Sequence, residues 1–323
     1  AVINVRLATA ICEPIMGTDF RSPNTIGVMK YLADVYGART LTAQNVTPGT
    51  NAEIEAVYAE TKRYPAMRCG DLMYSTAFVD ESYAQAAQKE TELALEWARK
   101  GGISSLGWHW YSPQKYSSDF YSSGTTFSLE DAVTDRDIAN ASAEELQGMY
   151  ESSLISEDTL LLIQDIDLAA EQLAKFRDEY LTVVWQPIPD GDSDLYWWGG
   201  DAESYKWLWQ LMFTRMNEYH KLNNLIWVWN ANGPRDIPND TALAYDLFYP
   251  GNEYVDVLAT DVYNRDWKQS HHDQLVELGK GKLIALGELG SLPTPEQLRK
   301  MNKFAWFMVW SGFTSERHNT PEA

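Results

Sequence analysis

The side chain with the clearest chemical potential in this sequence is the carboxylate of Glu288, which ends the apolar run 282–287 and lies close to Gly287 and Gly290. A carboxylate at the end of a buried strand faces a binding site rather than open solvent. In retaining glycoside hydrolysis such a group attacks the anomeric carbon, and a second carboxyl group about 5–5.5 Å away protonates the leaving oxygen. We therefore interpret Glu288 as a candidate nucleophile; the alternative is a helix-capping or ion-paired glutamate.

Tryptophan is the second chemical feature, because the chain has 13 Trp residues and 13% aromatic residues. Indole rings stack on the C–H faces of pyranose sugars, while amides, carboxylates and imidazoles bind the hydroxyls. At least six tryptophans fall at the ends of apolar runs or just after them, which predicts a ring of indoles around one site. His109, between Trp108 and Trp110, is either a sugar ligand or a core histidine. Trp207, Trp209 and Trp227 are predicted to belong to the core.

The elements that position these residues form a regular series of short apolar runs, as expected of parallel strands covered on both faces. Helix-like stretches with apolar spacing of three and four lie between them. The predicted strands are residues 39–45, 64–71, 102–110, 181–188, 224–230, 254–261, 282–288 and 304–311. The predicted helices are residues 24–37, 82–100, 158–180, 204–220 and 270–279.

Strands that alternate with helices indicate parallel βα units, and eight such strands predict an α/β fold, a (β/α)8 TIM barrel that forms a single domain over residues 1–323. The alternative is an open doubly wound sheet, but no G-x-G-x-x-G motif follows a strand and there is no P-loop. In a barrel the carboxyl ends of the strands converge on one mouth. The long segment 111–156 lacks regular periodicity, and we interpret it as an irregular wall of the binding site.

Composition excludes several classes of function. The 323 residues carry 46 acidic and 26 basic side chains, a net charge of −20, which argues against nucleic-acid binding. No apolar run is long enough to span a bilayer, and no signal-peptide pattern begins the chain, so we expect a secreted or cell-envelope protein whose signal peptide is absent from this sequence. We also expect a monomer with no cofactor and no bound metal. His271 and His272 are predicted to lie on a solvated turn, and Cys12 and Cys69 are either bridged or buried thiols.

Several segments, taken in order, resemble glycoside hydrolase family 26, a family of (β/α)8 retaining enzymes dominated by β-1,4-mannanases. They are YLADVYGARTLTAQ at 31–44, Trp108–Trp110, DIDLAAEQL at 165–173, YWWG at 196–199, NNLIWVWN at 223–230, YPGNEYVDVLATDVY at 249–263 and IALGELG at 284–290.

The resemblance implies that Glu288 is the catalytic nucleophile and that Asp190 occupies the position of the acid/base glutamate. It also implies that His109 and Tyr263 surround the sugar at the cleavage point and that Trp310 stacks on substrate. The predicted substrate-binding residues are Trp108, His109, Gln186, Tyr196, Trp197, Trp198, Tyr263 and Trp310.

The sequence departs from the family pattern after the fourth strand, where Arg-Pro-Leu-His-Glu is replaced by Gln186-Pro187-Ile188-Pro189-Asp190 and a stacking Trp by Leu195. Aspartate is one methylene shorter than glutamate, so its carboxyl group retreats by about 1 Å from the glycosidic oxygen. Asp192 and Asp194 are predicted to raise the pKa of Asp190 by like-charge repulsion.

Two functions remain open at this point. The first is a retaining hydrolase of β-linked polysaccharide, most similar to endo-β-1,4-mannanases, with Glu288 as nucleophile and Asp190 as acid/base. The second is an impaired member of the family that binds β-mannan or a related glycan without cleaving it efficiently.

Overall fold

The chain was analysed as a computed structural model that describes residues 16–78, 81–116, 119–234, 242–263, 266–301 and 303–314. Within these ranges eight parallel strands form a closed barrel in the order β1 to β8, which confirms the predicted barrel and excludes the open sheet. The strands are β1 (Leu41–Asn45), β2 (Met67–Asp71), β3 (Ile103–Trp108), β4 (Val183–Pro187), β5 (Leu225–Asn232), β6 (Val257–Val262), β7 (Leu283–Leu289) and β8 (Trp306–Val309).

Helices connect the strands and cover the barrel. They are α1 (Pro23–Val35), α2 (Ala52–Thr61), α3 (Glu81–Arg99), α4 (Leu129–Ala132), α5 (Ala143–Glu151), α6 (Glu157–Asp178), α7 (Ala202–Thr214), α8 (Tyr245–Phe248), α9 (Gln269–Gly279) and α10 (Pro295–Lys300). Single turns of 3-10 helix occur at Ser122–Gly124, Asn252–Tyr254 and Ser311–Phe313, and a π-helical turn at Arg215–Tyr219 extends α7.

Helix starts follow from local capping chemistry. Ser22, Ser156 and Asp201 each accept a hydrogen bond from the backbone N–H three residues later, at the starts of α1, α6 and α7. Such side chains satisfy backbone donors that have no partner inside the helix. The predicted helix 204–220 begins two residues after the start of α7 and extends through the π-helical turn, so it ends later than the α-helix itself.

Two sequence predictions about local structure are wrong. Segment 111–156 is not irregular throughout, because it contains α4 and α5; short helices held by capping serines have too few residues to show clear periodicity. His271 and His272 do not lie on a solvated turn. Both are buried in the first turn of α9, where His271 Nε2 donates to the carbonyl of Pro234 over 2.7 Å.

The barrel interior and the layer between strands and helices form the two parts of the core. Cys69 is buried in the barrel interior, whereas Cys12 lies outside the described residues, so the predicted choice between a bridge and free thiols stays open. None of the helices in the described ranges is both long and apolar enough to cross a membrane.

Candidate active site

A cavity of about 420 Å³ opens at the carboxyl ends of the strands. This is the size range of small-molecule sites, and in a barrel it is the expected end. Its lining consists mainly of aromatic rings and carboxylates: Tyr121, Asp190, Leu195, Tyr196, Asn232, Gly233, Asp261, Val262, Tyr263, Asp266, His271, Glu288, Trp310 and Phe313.

A bulge between β6 and β7 brings two carboxylates side by side. Thr260 pairs with Leu286, but the next residue, Asp261, pairs with Glu288, so Gly287 is the extra residue of the bulge. A Cβ at position 287 would lie 1.9 Å from Oδ1 of Asn230, which explains why glycine occupies it. Bulges re-aim side chains at the ends of strands. Here the bulge sets Glu288 opposite Asp261.

Glu288 is buried and held by two polar neighbours. The hydroxyl of Tyr263 donates to Oε2 over 2.7 Å, and Nε2 of His109 lies 3.8 Å from Oε1. Burial raises the pKa of Glu288 to about 7, with a further increase from the negative charges of Asp190 and Asp71, while His109 and the Tyr263 hydrogen bond lower it. The carboxylate is therefore poised to ionise near neutral pH.

His109 is held by Asp71, a residue that the sequence interpretation did not single out. Asp71 Oδ2 bonds Nδ1 of His109 at 2.6 Å, and Oδ1 accepts the backbone N–H of His109 at 3.1 Å. Burial disfavours the charged imidazole, but Asp71, Glu288 and Asp190 outweigh it and raise the pKa of His109 to about 9. The imidazole is thus a cation at neutral pH that faces Glu288. The sequence feature that could have identified Asp71 as a site residue is its position at the end of β2.

Asp190 lies in a tightly held loop with unusual backbone angles. Ile188 has φ +38° and Asp190 has φ +53°, a region that bulky or β-branched residues rarely adopt. Three side chains donate to consecutive carbonyls of this loop: Tyr205 to Ile188 at 3.1 Å, Trp198 to Pro189 at 2.8 Å and Ser193 to Asp190 at 3.0 Å. Such over-determination is what sustains strained backbone at functional sites.

The loop also depends on a close approach by glycine. A Cβ on Gly191 would lie 2.1 Å from the ring of Tyr205, so a larger residue would displace the ring that holds Ile188. The backbone N–H of Asp190 donates to the carbonyl of Asn230 at 3.0 Å, which ties the loop to β5. The backbone that carries the short side chain of Asp190 is therefore held in one conformation by these contacts.

The carboxyl group that meets Asp190 comes from a distant part of the sequence. Asp261 lines the same cavity as Asp190, and its Oδ1 accepts a hydrogen bond from Asn230 Nδ2 at 2.8 Å. Burial, followed by the charges of Glu288 and Asp190, raises the pKa of Asp261 far above its ordinary value. In the sequence Asp261 is only the last residue of the predicted strand 254–261, and the like-charge repulsion on Asp190 was predicted to come from Asp192 and Asp194. Asp194 is exposed, and Asp192 Oδ1 accepts the backbone N–H of Asn232 at 2.9 Å.

The predicted ring of tryptophans is largely wrong. Trp108 and Trp110 stack on each other at 4.0 Å and are fully buried, as are Trp198 and Trp229. Trp197, which is 5% exposed, donates to the carbonyl of Trp110 at 2.6 Å. The indoles of Trp197 and Trp198 donate to loop carbonyls, and that of Trp110 donates to Oδ2 of Asp165, so these rings pack into the wall behind the cavity instead of lining it. Trp209 and Trp227 are core residues as predicted, and Trp207 is half-buried against the core.

The remaining predicted ligands lie close to the carboxylates. Trp310 and Tyr196 line the cavity, and both pack edge-on to His109, with ring centroids 5.3 and 5.5 Å away. Tyr196 stacks on Trp198 at 4.6 Å, so the buried indole supports an aromatic surface of the cavity.

Gln186 is buried beside a small space of about 10 Å³ that His109 and Glu288 also border. Tyr121 brings segment 111–156 to the cavity and stacks on Tyr196 at 5.7 Å.

No group of three or more His, Cys, Asp or Glu side chains is arranged to hold a metal ion in the part of the chain that the structure describes. The functional groups around Glu288 are carboxyl groups, the imidazolium of His109 and phenols. Glu288 and Asp190 share one cavity, with a cation and a hydroxyl directed at Glu288. This arrangement can support nucleophilic attack by one carboxylate and proton transfer by the other.

Comparison with known sequences places this arrangement in a family. The sequence profile of glycosyl hydrolase family 26 matches residues 20–321, nearly the whole chain. The chain belongs to glycosyl hydrolase family 26. This confirms the resemblance found in the sequence, and the matched region includes both Glu288 and Asp190.

Curated relatives in family 26 include a mannan endo-1,4-beta-mannosidase of Thermothelomyces thermophilus, 31% identical over 308 residues, which cover 90% of this chain and 56% of the relative. Mannan endo-1,4-beta-mannosidase B of Piromyces sp. is 30% identical over 68% of this chain and 34% of its own length. The chain thus spans about half or less of the length of these relatives.

Solved structures of family 26 proteins superpose on the barrel. GH26A from Muricauda sp. MAR_2010_75 is 33% identical with a TM-score of 0.75, over 94% of this chain and 92% of that one. A GH26-CBM35 beta-(1,4)-mannanase of Podospora anserina is 27% identical with a TM-score of 0.78, over 96% of this chain and 65% of that one. The similarity to the Muricauda structure covers nearly the full length of both chains.

Proposed function

We propose that this chain is a retaining glycoside hydrolase that cleaves β-1,4-linked mannan internally, with Glu288 as nucleophile and Asp190 as acid/base. The observation that carries the proposal is the environment of Glu288. It is a buried carboxylate at the end of β7, contacted by the Tyr263 hydroxyl at 2.7 Å and by the His109 imidazole at 3.8 Å, in the same cavity as Asp190.

In the first step an oxygen lone pair of Glu288 attacks the anomeric carbon, and the glycosidic C–O bond breaks. The Asp190 proton passes to the departing oxygen, which leaves as a sugar hydroxyl. Tyr263 fixes one oxygen of Glu288, and cationic His109 lowers its pKa, so the attacking group is oriented and ionised. In the second step Asp190 removes a proton from water, whose oxygen displaces Glu288 and restores the starting configuration.

The substrate assignment draws on the relatives and on the lining of the cavity. Both curated relatives above are named for action on mannan. Trp310, Tyr196 and Tyr121 offer aromatic surface to sugar rings, and carboxylates beside them can bind hydroxyls. A polymeric substrate is found outside the cytoplasm, which is why we retain the proposal of a secreted or cell-envelope location.

The test is incubation of the purified chain with β-1,4-mannan and a panel of other β-glycans, followed by chromatography of the soluble products. The matched variant is Glu288→Gln, which keeps the shape of the side chain and removes the nucleophile. We expect manno-oligosaccharides from the wild-type chain and none from the variant. Products that persist unchanged in Glu288→Gln would refute the assignment of the nucleophile.

A second function, glycan binding with little cleavage, is favoured by one observation. The acid position carries a short aspartate whose left-handed backbone is clamped at three consecutive carbonyls, so the carboxyl group cannot easily advance toward a substrate. Calorimetric binding of manno-oligosaccharides without product release would support this function. A wild-type chain that hydrolyses mannan and loses this activity in Asp190→Ala would rule it out.

A further inference from the structure

Asp190 and Asp261 are buried carboxyl groups, 7% and 2% exposed, that line the same cavity as Glu288. Two ionised carboxylates so placed repel each other, and neither has a donor for the other, whereas a single proton on the pair lets one carboxyl group donate to the other. The remaining partner of Asp261 is fixed: Asn230 Nδ2 donates to its Oδ1 at 2.8 Å, so that oxygen acts as an acceptor.

The surroundings of the pair favour retention of this proton. Glu288 adds negative charge to the pair, and the cation near Asp190 is His109, which Asp71 holds. Other titratable neighbours include phenols with raised pKa values, Tyr196, Tyr205, Tyr245 and Tyr263, and two residues that line the same cavity, Asp266 and His271. Like-charged carboxyl groups at close range resist a second ionisation.

We propose that Asp261 is a positioning residue that shares one proton with Asp190 and thereby keeps Asp190 ready to act as a general acid. The inference rests on the proposed function and deepens it. It explains how an aspartate, which is ordinarily ionised at neutral pH, can serve where the family pattern has a glutamate. It also explains the bulge at Gly287, which carries Asp261 to the level of Glu288.

The reaction keeps the charge of the three carboxyl groups constant. Before cleavage Glu288 carries one negative charge and the pair carries one. When Glu288 forms its ester with the sugar it becomes neutral, while the pair gives its proton to the leaving oxygen and carries two charges. The doubly ionised pair is a strong base, so Asp190 readily takes a proton from the attacking water, and the original state returns.

The variant Asp261→Asn tests this directly. Its carbonyl can accept from Asn230 and its amide can donate to Asp190, so both contacts persist while the shared proton is lost. We expect kcat/KM on mannotetraose to fall about a hundredfold and its alkaline limb to move down by about one pH unit. On a dinitrophenyl β-mannoside, whose leaving group needs little protonation, we expect a loss of less than about tenfold.

The control is Asp246→Asn, which removes the same charge at an exposed position of α8 and should leave the pH profile unchanged. An alkaline limb of Asp261→Asn that coincides with that of the wild-type chain would overturn the proposal, whatever the size of the rate loss. Equal losses on both substrates with an unmoved limb would show that Asp261 only supports the loop.

Carbon-13 NMR of protein labelled at the aspartate carboxyl carbons separates this inference from the proposed function, because it needs no activity. The Asp190 resonance is assigned by its loss in Asp190→Asn. We expect its titration to move to lower pH in Asp261→Asn, and the Asp261 titration to move to lower pH in Asp190→Asn. An Asp190 resonance that titrates alike with and without Asp261 would overturn the shared proton, even if the chain proved inactive on mannan.

Discussion

The Tyr263 hydroxyl donates a 2.7 Å hydrogen bond to Oε2 of Glu288, and the two residues come from the adjacent ends of β6 and β7. This bond lowers the pKa of Glu288, which burial raises. The bulge between the two strands sets the relative height of these residues. The orientation and the pKa of Glu288, the proposed nucleophile, therefore depend on the bulge as well as on its own strand.

Replacement of Tyr263 by Phe removes only the hydroxyl. Because the hydrogen bond favours the ionised form of Glu288, we expect its pKa to rise above about 7 and the acidic limb of kcat/KM to move to higher pH. Activity at pH 6 should fall by about tenfold to a hundredfold, and less at pH 8. The measurement is the pH profile on an aryl β-mannoside. Tyr116→Phe, at an exposed position, is the control, and an unmoved acidic limb would contradict the role of the bond.

His109 should make folding stability depend on pH. Its pKa is raised to about 9 in the folded protein, above the value of about 6.5 in an unfolded chain, so folding favours the protonated form. The resulting stabilisation is complete below about pH 6.5 and is lost as the pH rises to about 9. We expect urea unfolding of His109→Gln and Asp71→Asn to lack this slope. A wild-type slope that survives in both variants would refute the ion pair.

Glu288 is expected to lower stability while it serves catalysis. Its pKa in the folded protein is about 7, above its ordinary value, so ionisation in the buried site costs stability between about pH 4.5 and 7. Glu288→Gln should therefore be inactive but more stable than the wild-type chain at pH 8, with a smaller gain at pH 4. Thermal unfolding at the two pH values measures this. Equal effects at both would contradict the raised pKa.

Leu195 lines the cavity at the position where the family pattern has a stacking tryptophan, and it is 43% exposed. Leu195→Trp should restore a platform for a sugar ring without disturbing the core. We expect KM for manno-oligosaccharides to fall about threefold to tenfold with kcat little changed. Leu195→Ala is the matched control and should raise KM. A KM that rises in both variants would show that no sugar ring lies over position 195.

The eight-stranded barrel could be predicted from the sequence because most of its strands are short, near-continuous apolar runs. Glu288 could be placed at the mouth of the barrel because it ends a predicted strand, and the carboxyl ends of the strands converge there. The partnership of Asp190 with Asp261 could not be predicted, since it depends on a one-residue bulge at Gly287 that no pattern in the sequence specifies. The burial of Trp197 and Trp198 was missed for a similar reason, because the same indoles suit a sugar platform or a packed wall until their N–H acceptors are known.

A Glu288 carboxylate that acts as nucleophile forms a covalent bond with the sugar, and this bond can be trapped. The chain is incubated with a 2-fluoro-β-mannosyl donor that has a dinitrophenyl leaving group, which needs no help from Asp190. Peptide mass spectrometry should then find one added fluoromannosyl group on Glu288, and none in Glu288→Gln. A label on another carboxylate, or no label while dinitrophenol is released, would contradict the account.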